Sequence, residues 1–399
     1  MPDVRDQLAR STDARRDALI ALSHGVHADA EIGFEEHTSS RRVADALDAG
    51  GFDVRHGVAG LDTAFTATVG TGDLHVAICA EYDALPGIGH ACGHNIIAAA
   101  AAGAGLALAE VADDLGLTIT VLGTPAEEGG GGKITMLDAG LFEDAHVAMM
   151  VHPAPYEAVS MPCLAVRHLD VAYTGRPAHA SAYPQMGINA ADALTVAQVG
   201  VGLLRQHIAS TDRIHGIVTH GGDAPNIIPH ETAGRWYVRA RDLEELAELE
   251  PRVAACFEAG AIATGASLEL RSDHEPYSQM RDDRELAGIY QIAAEGLGRR
   301  FPAADESLQL AGSTDMANVS LRVPTIHPMI GIDAGGAVNH QPEFTAACIT
   351  ASADAAVRDG ALAMATTAAW AANDPATRHR LQEQATTRPS TRWNREVSA

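Results

Sequence analysis

Short apolar runs of strand length alternate with longer helical segments in the first half of the chain. The runs "LHVAICA" (74–80), "LTITVLG" (117–123) and "VAMMV" (147–151) are short and apolar. Between the first two lies "NIIAAAAAGAGLALAEVA", which is rich in alanine and leucine and ends at "DDLG", and this composition predicts a helix. The first 60 residues are also predicted to be helical, up to a turn at "GGF". Strands that alternate with helices predict a mostly parallel sheet with helices on both faces.

From about residue 164 the order of elements changes to β-α-β-β-α-β. The strands are "RHLDVAYTG", "RIHGIVTHGG", "ETAGRWYVRA" and "ASLELRSD", and two long helical segments separate them. This order is typical of a split βαβ, ferredoxin-like module. The α/β pattern then resumes with "RELAGIYQIAAEGLG" and "VPTIHPMIGI". We therefore predict an α/β protein with a discontinuous catalytic domain, 1–163 and 276–399, and an inserted lid or dimerisation domain, 164–275. The tail after residue 372 is polar and suggests no chemistry.

Composition and charge narrow the class of protein. The formal net charge of −24 argues against a nucleic-acid partner, because phosphate binding needs clustered Lys and Arg. The sequence contains no run of 18 apolar residues, so we predict no membrane span. The first residues lack the apolar segment of a signal peptide, and we therefore predict a cytoplasmic protein. The five cysteines are odd in number and form no CxxC pair, which is not the pattern of a disulfide framework.

Polar side chains follow the predicted strands at the points where the strands end. Asp83, Glu127, Glu128 and His152 each come just after one of the three apolar runs. In open α/β sheets the carboxyl ends of the strands form the edge where ligands bind. We therefore expect these carboxylates and this imidazole to lie close together.

The stretch "GIGHACGHNIIAAAAAG" (87–103) carries a thiol and two imidazoles before a helix. Cys92 and His94 could be metal ligands, a nucleophile with its base, or packing residues, whereas His90 is interpreted as a loop residue or a support for a ligand. With Glu128, His152 and the later His340, the donors suit zinc, manganese or cobalt. Five candidate ligands exceed one tetrahedral site, which indicates two metals with a shared ligand.

The doublet "AEEG" offers a second kind of chemistry. Two adjacent glutamates before glycines usually form only a solvated turn, but here they follow a strand of the candidate sheet. If one carboxylate binds metal, the other can act as general base on a water that the cation acidifies.

Eight segments resemble the M20 family of metallopeptidases and amidohydrolases, and they extend over nearly the whole chain. The branch concerned contains indoleacetyl-amino-acid hydrolases, aminobenzoyl-glutamate hydrolases and β-alanyl-lysine-type dipeptidases. The matching segments are "HADAEIGFEE", "AEYDALPGIGHACGHNIIA", "GTPAEEGGGGK", "VHP", "YTGRPAHAS", "GGDAPNIIP", "GSTDMANVS" and "NHQPEF". The sequence departs from the family where "HPE" becomes "HADAE", leaving His27 and Glu31, and where "CGHDxH" becomes "CGHNII", with Asn95 and Ile97. These departures bear on substrate preference more than on metal binding.

The resemblance implies a zinc-peptidase-like α/β/α catalytic domain with two divalent metal ions, which are zinc, manganese or cobalt. It implies that Cys92 bridges them and that Glu127 is the general base and later the acid. His179, on the inserted domain, would stabilise the oxyanion. In relatives the corresponding histidine often reaches the active site of the partner subunit, so the resemblance also implies a homodimer through that domain. The implied metal ligands are Cys92, His94, Glu128, His152 and His340.

The resemblance also places substrate contacts. Asn226 and Arg239 would bind a substrate carboxylate, as would the turn at Gly312 and Ser313, and Asp83 would orient a ligand histidine.

The function predicted is hydrolysis of an amide bond in a small N-acyl amino acid, a dipeptide or an aminobenzoyl-glutamate-like substrate, with a metal-bound hydroxide as nucleophile. Three alternatives stay open. The same site could deaminate an aryl amine, or Cys92 could act as the nucleophile of a hydrolase without metal. A catalytically inactive binding protein on this fold is the third, although Glu127 and all five ligand candidates are present.

Overall fold

The computed structural model describes residues 2–272, 274–302 and 312–388, which contain twelve β-strands and thirteen α-helices. The strands are β1 (Asp53–His56), β2 (Phe65–Val69), β3 (Leu74–Ala80), β4 (Leu117–Gly123), β5 (Val147–Met149), β6 (His152–Ala154), β7 (Ala165–Thr174), β8 (Arg213–His220), β9 (Glu231–Ala240), β10 (Ser267–Arg271), β11 (Thr325–Ile326) and β12 (Met329–Gly331). The helices are α1 (Pro2–Ala14), α2 (Arg16–Asp29), α3 (His37–Asp48), α4 (His94–Ala109), α5 (Ala112–Leu115), α6 (Gly132–Asp138), α7 (Ala190–Leu204), α8 (Leu243–Thr264), α9 (Arg284–Glu295), α10 (Met316–Ser320), α11 (Pro342–Ala347), α12 (Ala351–Asn373) and α13 (Pro375–Thr387).

The described residues divide into two compact units. One contains those within Met1–Pro162, Met280–Leu310 and Thr314–Ala399, and we call it the large unit. The other contains those within Cys163–Gln279 and Ala311–Ser313, and we call it the inserted unit. The prediction that 164–275 serve as a lid or dimerisation domain concerns function, and it stays a prediction.

The large unit is built on a mixed sheet with the strand order β1-β2-β4-β3-β5-β11. The four strands from β4 to β11 are parallel, as the apolar runs predict, because both faces of these strands are buried. β1 and β2 are antiparallel, and the prediction of helix for the first 60 residues was wrong for β1. The exposed, polar β1 is an edge strand of four residues, which gives a weak strand pattern.

Helix α4 lies buried on every side, and its alanines and glycines let its neighbours approach closely. A Cβ on Gly103 would come within 2.8 Å of Leu19 in α2 and 2.9 Å of Ala361 in α12. A Cβ on Gly105 would come within 2.6 Å of Val121 in β4. A helix that is apolar all round is expected in the centre of a large core. The packing fixes the amino end of α4, where His94 lies.

The inserted unit has an antiparallel sheet in the order β10-β7-β9-β8, with α7 and α8 packed on one face. Along β7, Leu169, Val171 and Tyr173 are buried under these helices, and the intervening residues point to the other face. Asn189 and Asp242 cap the two helices by accepting backbone N–H bonds. The predicted β-α-β-β-α-β order and the α/β fold class with a ferredoxin-like insertion are confirmed.

The polar tail forms α13, which is tied to the large unit. The Arg378 guanidinium donates to the carbonyls of Leu115, the last residue of α5, and of Gly116, the residue after it. Residues 389–399 lie outside the described residues. None of the described helices combines the length and the apolar composition that crossing a bilayer requires.

Candidate metal centre

The loop before α4 places a thiol and an imidazole side by side. Gly93, between Cys92 and His94, has a φ of 80°, the left-handed region that suits glycine. A Cβ at this position would lie 2.4 Å from Cγ of Pro153, so the close approach of the two loops also requires glycine. Cys92 is buried and His94 is completely buried at the first position of α4.

Asp83 orients His94 and also holds the turn that carries the glutamates. Its Oδ1 lies 3.0 Å from Nδ1 of His94, and its Oδ2 accepts the backbone N–H of Glu128 at 3.1 Å. Because an ionised carboxylate only accepts, Nδ1 of His94 carries a proton and donates to Asp83, which leaves Nε2 as the ring nitrogen that a cation could bind. This Nε2 is buried and has no hydrogen-bond partner among the described residues.

His152 approaches the same thiol from the end of the neighbouring strand. Its Nδ1–H donates to the carbonyl of Pro153 at 2.9 Å, and its Nε2 lies 3.4 Å from Sγ of Cys92. Burial lowers the pKa of His152 to about 3, so the ring is neutral and able to act as a ligand.

His340 reaches the centre from the loop before α11. It is one of few non-glycine residues with a positive φ, 68°, and its N–H donates to the carbonyl of Ala91 at 2.8 Å. Its Nε2 lies 3.5 Å from Oε2 of Glu128. This backbone bond ties the loop of His340 to the loop of Cys92.

The donor atoms of these residues form two groups that share the thiol. Cys92, His94 and His152 make the first group, and Cys92, Glu128 and His340 make the second, with all ligand atoms of a group within 4.8 Å of one another. The residues fit divalent cations, because the buried Nε2 of His94 and Oε1 of Glu128 have no hydrogen-bond partner within the described ranges and lie 3.9 Å apart. Thiolate, imidazole and carboxylate are the donor types that zinc and related ions bind.

Glu127 stands beside these groups. It is buried, and its Oε2 lies 3.8 Å from Nε2 of His94. Burial, together with the charges of Glu81 and Glu128, raises its pKa well above the ordinary value for a glutamate. A carboxyl group with a raised pKa next to a cation site can accept a proton and return it.

Three buried charged residues behind the centre were not predicted from the sequence. Nζ of Lys133 lies 2.6 Å from Oε1 of Glu81 and 2.7 Å from Oδ1 of Asp315, and all three side chains are fully buried. We call this set the buried triad. Although burial acts to lower the pKa of Lys133, the carboxylates hold it well above the ordinary value. Lys133 is the only lysine in the sequence, and this was the sequence feature that could have singled it out.

In the inserted unit the backbone joins the loops of His179 and Asn226. The N–H of Ala180 donates to the carbonyl of Asn226 at 3.0 Å, so the two predicted residues lie on paired segments. Nδ1 of His179 accepts the N–H of Ala182 at 3.2 Å. A neutral His179 therefore carries its proton on the exposed Nε2.

The second predicted set in the inserted unit surrounds Arg239. Its Nη1 donates to Oγ of Ser313 at 2.6 Å, and its Nε donates to Nε2 of His215 at 3.3 Å. Ser313 in turn donates to the carbonyl of Leu164 at 2.7 Å. The N–H of Leu164 donates to the carbonyl of Gly312. The guanidinium is held at two of its three nitrogens.

Two residues in the segments that depart from the family pattern, the retained Glu31 and the altered Asn95, make defined contacts. Glu31 accepts the N–H groups of Thr38 and Ser39 and so caps the start of α3. Asn95 points away from the centre and donates to the carbonyl of Cys348 at 3.0 Å.

Comparison with known proteins agrees with the geometry. Residues 77–358 match "Peptidase family M20/M25/M40". The chain is 38% identical to the Xaa-Arg dipeptidase of Mus musculus over 383 residues, which cover 92% of this chain and 88% of that protein. It is 31% identical to one of the subunits of the p-aminobenzoyl-glutamate hydrolase of Escherichia coli over 282 residues, 65% of this chain and 59% of that protein.

Solved structures show the same fold. A dinuclear metal-binding peptidase from the M20 family of Bacillus subtilis has a TM-score of 0.66 and 22% identity, over 90% of this chain and 98% of that one. An aminobenzoyl-glutamate utilization protein of Klebsiella pneumoniae has a TM-score of 0.69 and 20% identity, with the same coverage. Because the fold, the two donor groups and the match to the family agree, the chain belongs to peptidase family M20/M25/M40 and is a metal-dependent hydrolase of peptide or amide C–N bonds.

Proposed function

We propose that this chain is a dinuclear dipeptidase that prefers a basic residue at the carboxyl end of its substrate. The observation that carries the proposal is the pair of donor groups that share the sulfur of Cys92. Similarity to an Xaa-Arg dipeptidase supports the basic residue, as does the net charge of −24, which attracts cationic substrates at long range. Zinc, manganese or cobalt are the proposed metals, with Cys92 as the bridge.

The proposed chemistry divides between the cations and the protein. Divalent cations held by these donors would supply polarisation of the scissile carbonyl and would lower the pKa of water. Glu127 would take a proton from the water as its oxygen bonds to the carbonyl carbon, and would deliver that proton to the amine nitrogen as the C–N bond breaks. Its raised pKa supports this assignment, because such a carboxyl group can hold a proton between the two steps.

His179 is proposed to stabilise the oxyanion. The hydrogen bond from Ala182 occupies Nδ1, so Nε2–H is the donor that a neutral ring can offer to a negative oxygen. The ring is exposed on the inserted unit, which keeps this donor available to substrate.

The carboxylate of the substrate is proposed to bind Arg239, with Asn226, Gly312 and Ser313 forming the rest of that subsite. Ser313 and His215 engage Nη1 and Nε, and Nη2 has no acceptor within the described part of the chain. The Nη1–Nη2 edge therefore remains for two parallel bonds to a carboxylate.

Replacing Arg239 with Met is expected to raise KM for a dipeptide about 10- to 100-fold, because a charge-assisted hydrogen bond contributes about 1.5–3 kcal/mol. Initial-rate kinetics on a free dipeptide and on its carboxyl-terminal amide form the test. The variant should bring the two substrates close to equal KM values. An undiminished preference for the free acid would contradict the assignment.

A homodimer through the inserted unit is also proposed. The edge strand β8 is exposed over most of its length, with Ile217 at 65% and Val218 at 45% exposure, and Leu203 on α7 is 69% exposed. Exposed apolar residues on an edge strand and a helix are typical of an association surface. Sedimentation equilibrium should give a dimer for the wild type and a monomer for Ile217→Asp, and a wild-type monomer would contradict the proposal.

The alternatives differ in what they require. Burial, with the charge of Glu128, raises the pKa of the Cys92 thiol well above its usual range, so a nucleophilic thiolate is disfavoured without a cation. Deamination of an aryl amine would use the same site. Its product is ammonia, and detection of ammonia would distinguish it from amide hydrolysis.

Removal of metal is expected to abolish turnover and its return to restore it. The protein is dialysed against a chelator, and Zn²⁺, Mn²⁺ or Co²⁺ is added back over a panel of Xaa-Arg and Xaa-Lys dipeptides, N-acyl amino acids and aminobenzoyl-glutamate. We expect two metal equivalents per chain by elemental analysis and the highest kcat/KM on the basic dipeptides. Full activity in the metal-free protein would contradict the metal-dependent mechanism.

A further inference from the structure

We infer that Glu36 is a positioning residue for the proposed base and ligand, and that it acts through the backbone of Ala126. The inference rests on the proposed functions of Glu127 and Glu128. Glu36 lies 90 residues before this turn, and neither the donor groups nor the proposed chemistry uses its carboxyl group.

The turn that carries the two glutamates begins with an unfavourable backbone conformation. Ala126 has a φ of 56°, in the left-handed region where an alanine is strained. Such a conformation persists when the surrounding structure holds it in place. The carbonyl of Ala126 accepts the N–H groups of both Gly130 and Gly131 at 2.9 Å, which fixes the peptide group that follows the Cα of Ala126.

Glu36 holds the peptide group that precedes the Cα of Ala126. Its Oε1 accepts the N–H of Ala126 at 2.8 Å, and its Oε2 accepts the hydroxyl of Thr63 at 2.9 Å. Glu36 is the residue before α3, yet its side chain makes no capping bond, and Glu31 caps that helix instead. The fully buried carboxyl group is therefore committed to the turn.

Two carboxyl groups thus hold the backbone N–H groups of the two residues that flank Glu127. Glu36 binds the N–H of Ala126, and Asp83 binds the N–H of Glu128. The bonds at both ends set the directions in which the side chains of Glu127 and Glu128 leave the turn. Loss of the bond at Ala126 would let the turn relax and move both carboxylates.

Two variants of Glu36 distinguish the effect of side-chain length from the effect of its ability to ionise. Glu36→Gln keeps an oxygen at the same distance but cannot ionise, and Glu36→Asp keeps an ionisable carboxyl group but withdraws it by one methylene. Burial, together with the charge of Asp83, raises the pKa of the Glu36 carboxyl group to about 7. For Glu36→Asp we expect kcat on the best dipeptide to fall about 100-fold, because a displacement of about 1 Å at a reacting group can cost that much, with KM within about threefold of wild type. For Glu36→Gln we expect kcat within about threefold of wild type, as the oxygen that accepts the Ala126 N–H remains.

A second readout does not depend on turnover. Titration of metal-free protein with Co²⁺, followed through its visible absorption, reports the two binding events. In Glu36→Asp the weaker event should lose about tenfold in affinity, as when a group that supports a ligand is removed, while the other stays unchanged. If the wild type hydrolyses none of the dipeptides, this titration still decides the inference, and the kinetic result then counts only against the proposed function.

The matched control is Thr63→Val, which removes the partner of Oε2 and leaves the bond to Ala126. It should lower the melting temperature without changing kcat or either Co²⁺ affinity. Should Glu36→Asp fail to fold, the double variant Glu36→Asp, Ala126→Gly removes the cost of the left-handed backbone and takes its place in both assays. Equal effects of Asp and Gln, or unchanged Co²⁺ binding in Glu36→Asp, would overturn the inference.

Discussion

Replacement of Glu127 with Gln is expected to lower kcat about 10²- to 10⁴-fold, the usual contribution of a general acid–base residue. The variant keeps the size of the side chain and removes its ability to accept a proton. Glu127 also forms a third possible donor group with Glu81 and His94. It belongs to neither of the two groups that share Cys92, so as the proposed base it should leave metal content at two equivalents per chain when it is replaced. Steady-state kinetics and elemental analysis on the same preparation provide the measurement.

Glu128→Gln is the matched control, since it makes the same chemical change one residue away. Glu128 lies in a donor group with Cys92 and His340, so its replacement should weaken metal binding first and activity as a consequence. Added metal should therefore rescue Glu128→Gln in part and leave Glu127→Gln unchanged. Near-normal turnover of Glu127→Gln would remove it from the mechanism.

Lys133→Met is expected to destabilise the protein by about 3–5 kcal/mol, the cost of leaving a buried carboxylate without its partner. The substitution leaves Glu81 and Asp315 facing each other in a fully buried space. Urea unfolding followed by circular dichroism, in metal-free and metal-loaded protein, measures the change. A loss below about 1 kcal/mol, the range of an exposed ion pair, would contradict the description of the buried triad.

The triple variant Lys133→Met, Glu81→Gln, Asp315→Asn tests the same point from the other side. With no charge left in the triad, much of the lost stability should return, because removing a whole buried ion set costs less than removing one member. Failure to recover would point instead to the shape of the lysine side chain.

The sequence predicted the parts of this molecule that follow from local pattern. Burial on both faces makes β3 and β4 continuous apolar runs, and the bounds of both strands agree with those runs. The convergence of Glu127, Glu128 and His152 at one edge followed from the rule that parallel strands end on the same side. These inferences need only short-range information.

The contacts that the sequence did not predict are those in which partners are far apart in the chain. Lys133 and Asp315 are 182 residues apart, and Glu36 and Ala126 are 90 apart. A lysine after four glycines looks like an exposed loop residue, and a glutamate before a helix looks like a solvated one. Only the folded backbone shows that both are buried.

The burial of Lys133 has a practical consequence for chemical labelling. Since it is the only lysine and its side chain is fully buried, amine-directed reagents find no lysine to modify on the surface of the folded protein. Acylation at this position requires that α6 and its surroundings open. The rate of acylation at Lys133, followed by mass spectrometry, therefore reports how often the interior behind the metal centre becomes accessible to the reagent, in a protein with a single lysine.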